Sequence, residues 1–287
     1  MSRGLDHIVH AVRDLDAVAE LYRGLGFTVG RRNKLPREWG TQNHIVQTPD
    51  TFIELLAVTN PDDIVPHMPR QFSFGAFNRD FLKRGEGLSM LVLKGNGAPD
   101  AEEFRARGIG DFELYDFERQ GKRPDGTSVK VAFSLAFAND NAADAGFFTC
   151  QQHYPENFWN PAFQVHANTA AAVAGVVLVA ERPSDHRRFL SAFTSAHDVP
   201  AASNGVTIKT ARGEIQVMTA GAFGDRYSVA PPDIARGARL AALRFVVRDV
   251  VAVKSSLEQA KIPAVTAGGA IVVGPQDAMG AVLVFAR

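Results

Sequence analysis

A chain of 287 residues exceeds what one small hydrophobic core holds, so one large domain or two smaller ones is expected. Its 46% apolar and 22% charged residues describe an ordinary globular protein, and 31 basic against 31 acidic residues remove any electrostatic case for nucleic acid or an anionic membrane as partner. A single cysteine, Cys150, excludes an internal disulfide, the first strand begins too early for a signal peptide, and the longest apolar run, 170–180, is too short for a bilayer, so a cytoplasmic protein is expected.

The stretch from Gly4 to Val12 reads as a short apolar strand running into Asp14, a residue type that caps a helix by accepting hydrogen bonds from its first free N–H groups. Leu15, Val18, Tyr22 and Leu25 share one face of that helix, and Gly24 and Gly26 stop it. Strands are predicted over 27–31, 43–47 and 51–58, which completes a βαβββ unit at about 4–58. The segment 62–86 falls outside this pattern. Its Phe72, Phe74, Phe77 and Phe81 suit one side of a short helix, either covering a sheet edge as core or walling an apolar pocket, with Phe77 the candidate to touch a ligand.

A second unit at about 87–153 has a strand over 87–93, a helix over 99–108 with Phe104 inward, and strands over 112–119, 129–138 and 146–152, with Pro124-Asp125-Gly126 as a turn. Beyond a connection bearing Pro, Asn and His166, the order recurs at about 172–220 and 239–287. The third unit has a helix capped by Ser184 or Asp185 and a hairpin around Ala211-Arg212-Gly213; in the fourth, Val12-Arg13-Asp14 reappears as Val247-Arg248-Asp249. The expected fold is α+β, four βαβββ modules paired into two halves, 1–160 and 165–287.

Strand alternation places Leu5, His7, Val9 and Ala11 on one face of the first strand, and Phe52, Glu54 and Leu56 on one face of the fourth. Ile53 and Leu55 suit packing beneath the helix, so Glu54 points to the opposite, concave side. A carboxylate among apolar neighbours needs a metal, a cation or water, and His7 is the neutral partner of first-row metal chemistry. The same pair also reads as a hydrogen-bonded glutamate beside a satisfied sheet histidine. His10 has the other parity and falls on the helix side. Asn43 and His44 start the strand beside that of Glu54 and are candidates to reach the cavity, whereas His67, His186 and His197 read as solvated.

The run Leu5-Asp6-His7-Ile8-Val9-His10-Ala11-Val12-Arg13-Asp14-Leu15, followed by Leu25-Gly26-Phe27, Gly40-Thr41-Gln42-Asn43 and Phe52-Ile53-Glu54-Leu55, resembles the vicinal oxygen chelate superfamily and, within it, the glyoxalase-like branch that also includes bleomycin-resistance proteins and dioxygenases. The resemblance covers nearly the whole chain and is most specific in the opening module. It implies two vicinal-oxygen-chelate-like domains, each a cupped sheet, with a divalent metal ion held from first and fourth strands: here His7 and Glu54, with Glu54 as the candidate catalytic base. The second module departs from the pattern, offering Ser89 and Cys150 at the corresponding positions. Cys150 is either a soft ligand or nucleophile, or simply a small buried hydrophobe. Gln152 and His153 either reach a substrate or end a solvated strand. In the last unit Ala242 stands where His7 does, the final strand has no carboxylate, and Gln216 is the nearest candidate in the third. A ring-cleaving dioxygenase is therefore disfavoured, and the second half reads as scaffold or interface, including that of a homodimer. No phosphate loop, nucleophile elbow or paired-cysteine zinc site is present. The implied activity is that of a metal-dependent lyase, isomerase or hydrolase acting on a small molecule with adjacent oxygens; the alternative is a non-catalytic protein that sequesters a small ligand in the same cup.

Overall fold

The first module begins as β1 (Leu5–Val12), all of it buried, and Asp14 caps α1 (Leu15–Gly24) by accepting the N–H groups of Asp16 and Ala17. β2 (Asn33–Lys34), β3 (Thr41–Gln47) and β4 (Phe52–Val58) follow. The strand expected over 27–31 does not form. The Phe27 ring packs 5.1 Å from Phe245 in the second half and the Thr28 N–H is donated to His166 Nδ1, so the start of this stretch turns to the other half of the molecule, and a single backbone bond, from the Gly30 N–H to the Ile45 carbonyl at 2.8 Å, ties its end to β3. The structure is a computed structural model describing residues 2–122, 126–197, 199, 201–202 and 205–287; Pro124 and Asp125 of the expected turn lie outside the described residues.

Ser73 caps α2 (Phe74–Leu82), the helix of the intervening segment. The second module comprises β5 (Gly87–Lys94), α3 (Ala98–Ala106), β6 (Tyr115–Lys122), β7 (Ser128–Ala138) and β8 (Gly146–Gln152). One turn, α4 (Pro155–Phe158), then brings Phe158 to 4.9 Å from Phe52. The third module is β9 (Ala170–Val179), α5 (Arg187–Thr194), β10 (Ala201–Ala202), β11 (Gly205–Lys209) and β12 (Glu214–Met218), trailed by α6 (Ala220–Tyr227). The fourth is β13 (Arg239–Val247), α7 (Val250–Ala260), β14 (Val265–Ala267), β15 (Ala270–Val273) and β16 (Val282–Ala286). Asp249 caps α7 as expected, whereas α5 is led in by the 3₁₀ turn Pro183–His186 and has no side-chain cap from Ser184 or Asp185.

Two eight-stranded sheets result, ordered β2-β3-β4-β1-β5-β8-β7-β6 and β10-β11-β12-β9-β13-β16-β15-β14. In each, the first strands of two modules run antiparallel at the centre, and each pairs in parallel with the last strand of its own module. One continuous apolar core joins the helix-facing sides of both halves, including Val18, Phe104, Phe193 and Leu257. Each concave face has its own cluster, Val9, Phe74, Val92 and Phe148 in the first sheet and Val177, Phe223, Ala242 and Val284 in the second. His10 lies on the helix side, its ring nitrogens 3.1 Å from the Tyr22 hydroxyl and 3.0 Å from the Met279 carbonyl. His186 is not solvated: it is buried with its Nδ1 2.7 Å from Asp140, joining the lead-in to α5 with the loop after β7.

Candidate functional site

A bulge in β1 builds the site. The pairing of β1 with β5 passes from Leu5↔Leu93 directly to His7↔Val92, leaving Asp6 as the extra residue. Leu5 therefore turns to the helix side, against the expectation from strict alternation, and joins the shared core. Asp6 Oδ1 lies 2.6 Å from His7 Nδ1, which fixes the ring with Nε2 toward Glu54. Parallel pairing sets His7 beside Phe52 and Val9 beside Glu54, so imidazole and carboxylate converge on one face with Nε2 and Oε2 3.8 Å apart. The His7 ring stacks on Phe52, centroids 4.3 Å apart, with Phe148 edge-on.

The polar chain continues in both directions. Asn43 Nδ2 donates to Glu54 Oε1 at 2.5 Å, and Asn33 Nδ2 donates to Asn43 Oδ1 at 3.1 Å. At the other end, Gln152 Nε2 donates to Asp6 Oδ2 at 3.2 Å. Gln152, Asp6, His7, Glu54, Asn43 and Asn33 thus form one line across the cup, with the gap between His7 and Glu54 at its centre. Burial pushes the Glu54 carboxyl up from its ordinary pKa, opposed by His7, the Asn43 hydrogen bond and Arg119. Around this line lies a narrow cleft with about 50 Å³ of free volume inside, walled by Trp39, Phe52, Phe74, Phe117, Phe148 and Phe158. Arg119, on β6, is the cation of this cleft among the described residues.

Of the other expected site residues, Asn43 and Cys150 line the cleft and His44, Phe77, Gln152 and His153 do not. His44 pairs with Leu55 and faces the opposite side, where Nδ1 meets the Gly30 carbonyl at 2.7 Å. Phe77 points along α2 toward Phe72 and Phe81, and Phe74, one turn earlier, stacks on Trp39 at 4.4 Å and forms the wall. Gln152 acts one step back, through Asp6. His153 is exposed, its Nε2 2.7 Å from Ser134 Oγ on the far face of β7. Cys150 is buried, and desolvation, with Asp6 and Glu54 adding repulsion, pushes its thiol well above the usual range, which is the environment of an inert apolar wall and not of a nucleophile.

The backbone register also corrects the expected counterparts in the second module. His7 stands seven residues before the cap residue Asp14, and Met90 seven before the cap residue Gly97. Val9 pairs with Glu54, and Val92, its counterpart five residues before the cap, pairs with Phe148. Met90 and Phe148, not Ser89 and Cys150, therefore occupy the ligand positions; Ser89 sits in a bulge and donates to Asn78 on α2 at 2.8 Å. Among the described residues no group of three or more His, Cys, Asp or Glu is placed to hold a metal ion. His7 and Glu54 supply two donors where resident sites use three or more, the paired module supplies a thioether and a phenyl ring, and a guanidinium faces the same cleft. The donor set does not fit a resident divalent metal.

Asp6, Arg119 and Trp39 carry no expectation from the sequence, whereas Phe74 belongs to the phenylalanine set read as core or pocket wall, and it forms the wall. Asp6 has the parity of the helix face until the bulge is known, whereas Arg119 carried a usable signal: Tyr115, Phe117 and Arg119 alternate on one strand face.

Solved structures with similar architecture include a hypothetical protein from Staphylococcus aureus, with a TM-score of 0.70 and 13% identity over 99% of this chain and 98% of that one. A mutant of 4-hydroxymandelate synthase from Streptomyces coelicolor gives a TM-score of 0.54 and 11% identity over 93% of this chain and 78% of that one. At such identities the likeness is one of fold, and it is the vicinal oxygen chelate fold. A comparison with curated proteins gives no match. Among the described residues no helix is long and apolar enough to cross a membrane. The family model for a glyoxalase-like domain matches residues 5–194, more than half of the chain and past the connection into α5, and the protein therefore belongs to the glyoxalase-like domain family.

Proposed function

We propose that the first cup is an enzyme centre that moves a proton on a small substrate with adjacent oxygens, a reaction of isomerase or lyase type. The observation that carries this reading is the hydrogen-bonded line across the sheet, interrupted at its centre by the 3.8 Å gap between His7 Nε2 and Glu54 Oε2 inside an apolar cleft. Glu54 Oε2 takes the proton from a substrate carbon next to a carbonyl, and the electron pair passes to the carbonyl oxygen. Return of the proton to the former carbonyl carbon, with the hydroxyl proton passing from its own oxygen to the former carbonyl oxygen, isomerises the substrate; where the carbon on the other side carries a leaving group, its expulsion with the electron pair completes an elimination. His7, with Nδ1 committed to Asp6, accepts a hydrogen bond from a substrate hydroxyl through Nε2 and so sets the carbon beside Oε2. Asn43 holds the other Glu54 oxygen. Burial, which raises the Glu54 carboxyl, suits a general base working near neutral pH. Metal dependence, implied by the resemblance, is not part of this mechanism because the donor set does not fit it.

A second reading, a non-catalytic cup that sequesters an apolar ligand, is supported by the aromatic walls and by Met90 and Phe148 at the ligand positions. Incubation in D₂O with hydroxyacetone, lactaldehyde, pyruvate and phenylpyruvate, followed by proton NMR, separates the two. Exchange above the buffer rate that falls about 10²- to 10⁴-fold in Glu54→Gln supports the enzyme. Saturable binding with no exchange for any compound supports sequestration.

A further inference from the structure

Arg119 is the one strongly charged group of the cleft that the proposed proton transfer does not use. It rises from β6 on the face that also carries Tyr115 and Phe117, and its Nε–H is buried with no hydrogen-bond partner. It forms no ion pair with any described residue, although Glu54 lies near enough for a favourable electrostatic pull. Burial otherwise disfavours its charge. Arg119 is half-buried with one N–H shut off from water, and its planar fork matches a carboxylate in two parallel hydrogen bonds.

The position of Arg119 gives the direction of such an anion. Together with Ile45 and Phe158 it borders both the inner cleft of His7 and Glu54 and an outer vestibule. The vestibule adds Arg31, Asn33 and Gln47, and no described carboxylate lines it. Positive charge therefore stands at the threshold, aromatic walls lie inside, and the acidic group Glu54 faces Arg119 from β4.

We infer that the cleft selects small organic carboxylates with an apolar or aromatic body, the carboxylate paired with Arg119 at the threshold and the body seated against Trp39 and Phe74. This inference rests on the reading of the cleft as the working site, and names its substrate class. The same placement leaves the carbon chain of the anion pointing toward His7 and Glu54.

Phenylacetate and its neutral isostere phenylacetamide test it directly, with tryptophan fluorescence and calorimetry as readouts, since Trp39 lines the cleft. The wild-type protein binds phenylacetate about tenfold or more tighter than the amide. Arg119→Met loses that preference, Arg119→Lys keeps part of it, and Glu54→Gln, which removes a competing carboxylate, retains or strengthens it while proton exchange falls about 10²- to 10⁴-fold. Equal affinities in the wild type, no binding of either compound, or a preference that survives in a folded Arg119→Met protein overturns the inference. A carboxylate preference without exchange on any substrate overturns the enzyme reading and leaves this one standing; exchange restricted to neutral substrates does the reverse.

Discussion

In the first cup, β1 and β4 bring His7 and Glu54 together; in the second, β13 and β16 place Ala242 and Val284 at the corresponding positions. Ala242 stands seven residues before the cap Asp249, as His7 does before Asp14. In each cup a helix follows the first of the two modules, but the helices do different things. α2 contributes Phe74 to one wall and leaves the cleft open, whereas α6 drives Phe223 and Tyr227 into the concave cluster of the second cup. Near the second cup Arg244 pairs with Glu214 and Gln216 Nε2 donates to Glu214, while Gln216 Oε1 is buried without a partner. A duplicated scaffold thus keeps its sheet order from backbone pairing and apolar patterning alone, while a site needs in addition polar groups at particular register positions.

That contrast can be broken or sharpened by substitution. The largest effect is expected at the centre of the first cup, where Glu54→Gln lowers proton exchange by about 10²- to 10⁴-fold while Val284→Ala leaves it unchanged, measured by NMR in D₂O. Next is Phe223→Ala in the second cup, which opens a cavity and lowers unfolding free energy by about 3–5 kcal/mol in urea titrations without altering exchange in the folded protein. Asp6→Asn releases the His7 ring and lowers exchange by about 10- to 100-fold, with the fold intact by circular dichroism. The Glu54 carboxyl is raised by burial in the folded state, so its contribution to stability is fully present below the ordinary carboxylate range and is lost as pH rises through the folded value. Glu54→Gln removes this dependence, and its stability relative to wild type rises with pH across that interval in urea titrations at stepped pH. The smallest effect is at Cys150: Cys150→Ala costs about 1 kcal/mol or less and leaves exchange within about twofold, and the native thiol reacts with a disulfide reagent only on unfolding.

Much of this arrangement could be read from residue pattern alone, because helix caps and strand parity act locally. Asp14 and Asp249 announced their helices, and the alternation Phe52, Glu54, Leu56 placed the carboxylate on the concave face. What failed depended on distant partners. Phe27 and Thr28 turn away from the expected strand to meet Phe245 and His166, and His186 is buried beside Asp140. The bulge at Asp6 arises from pairing with β5 and has no mark within β1 itself, so the residue that orients His7 stayed hidden. Sequence spacing makes Ser89 and Cys150 the counterparts, and only the β5–β8 register shows Met90 and Phe148 in those places.

The proposed chemistry requires the first cup to move protons with its own side chains. Metal content of protein purified without chelator, followed by the exchange assay after exhaustive chelation, tests this most directly. The prediction is substoichiometric metal and exchange that survives chelation but falls in Glu54→Gln. One equivalent of divalent metal per chain, lost in both His7→Ala and Glu54→Gln and required to restore exchange, would contradict it.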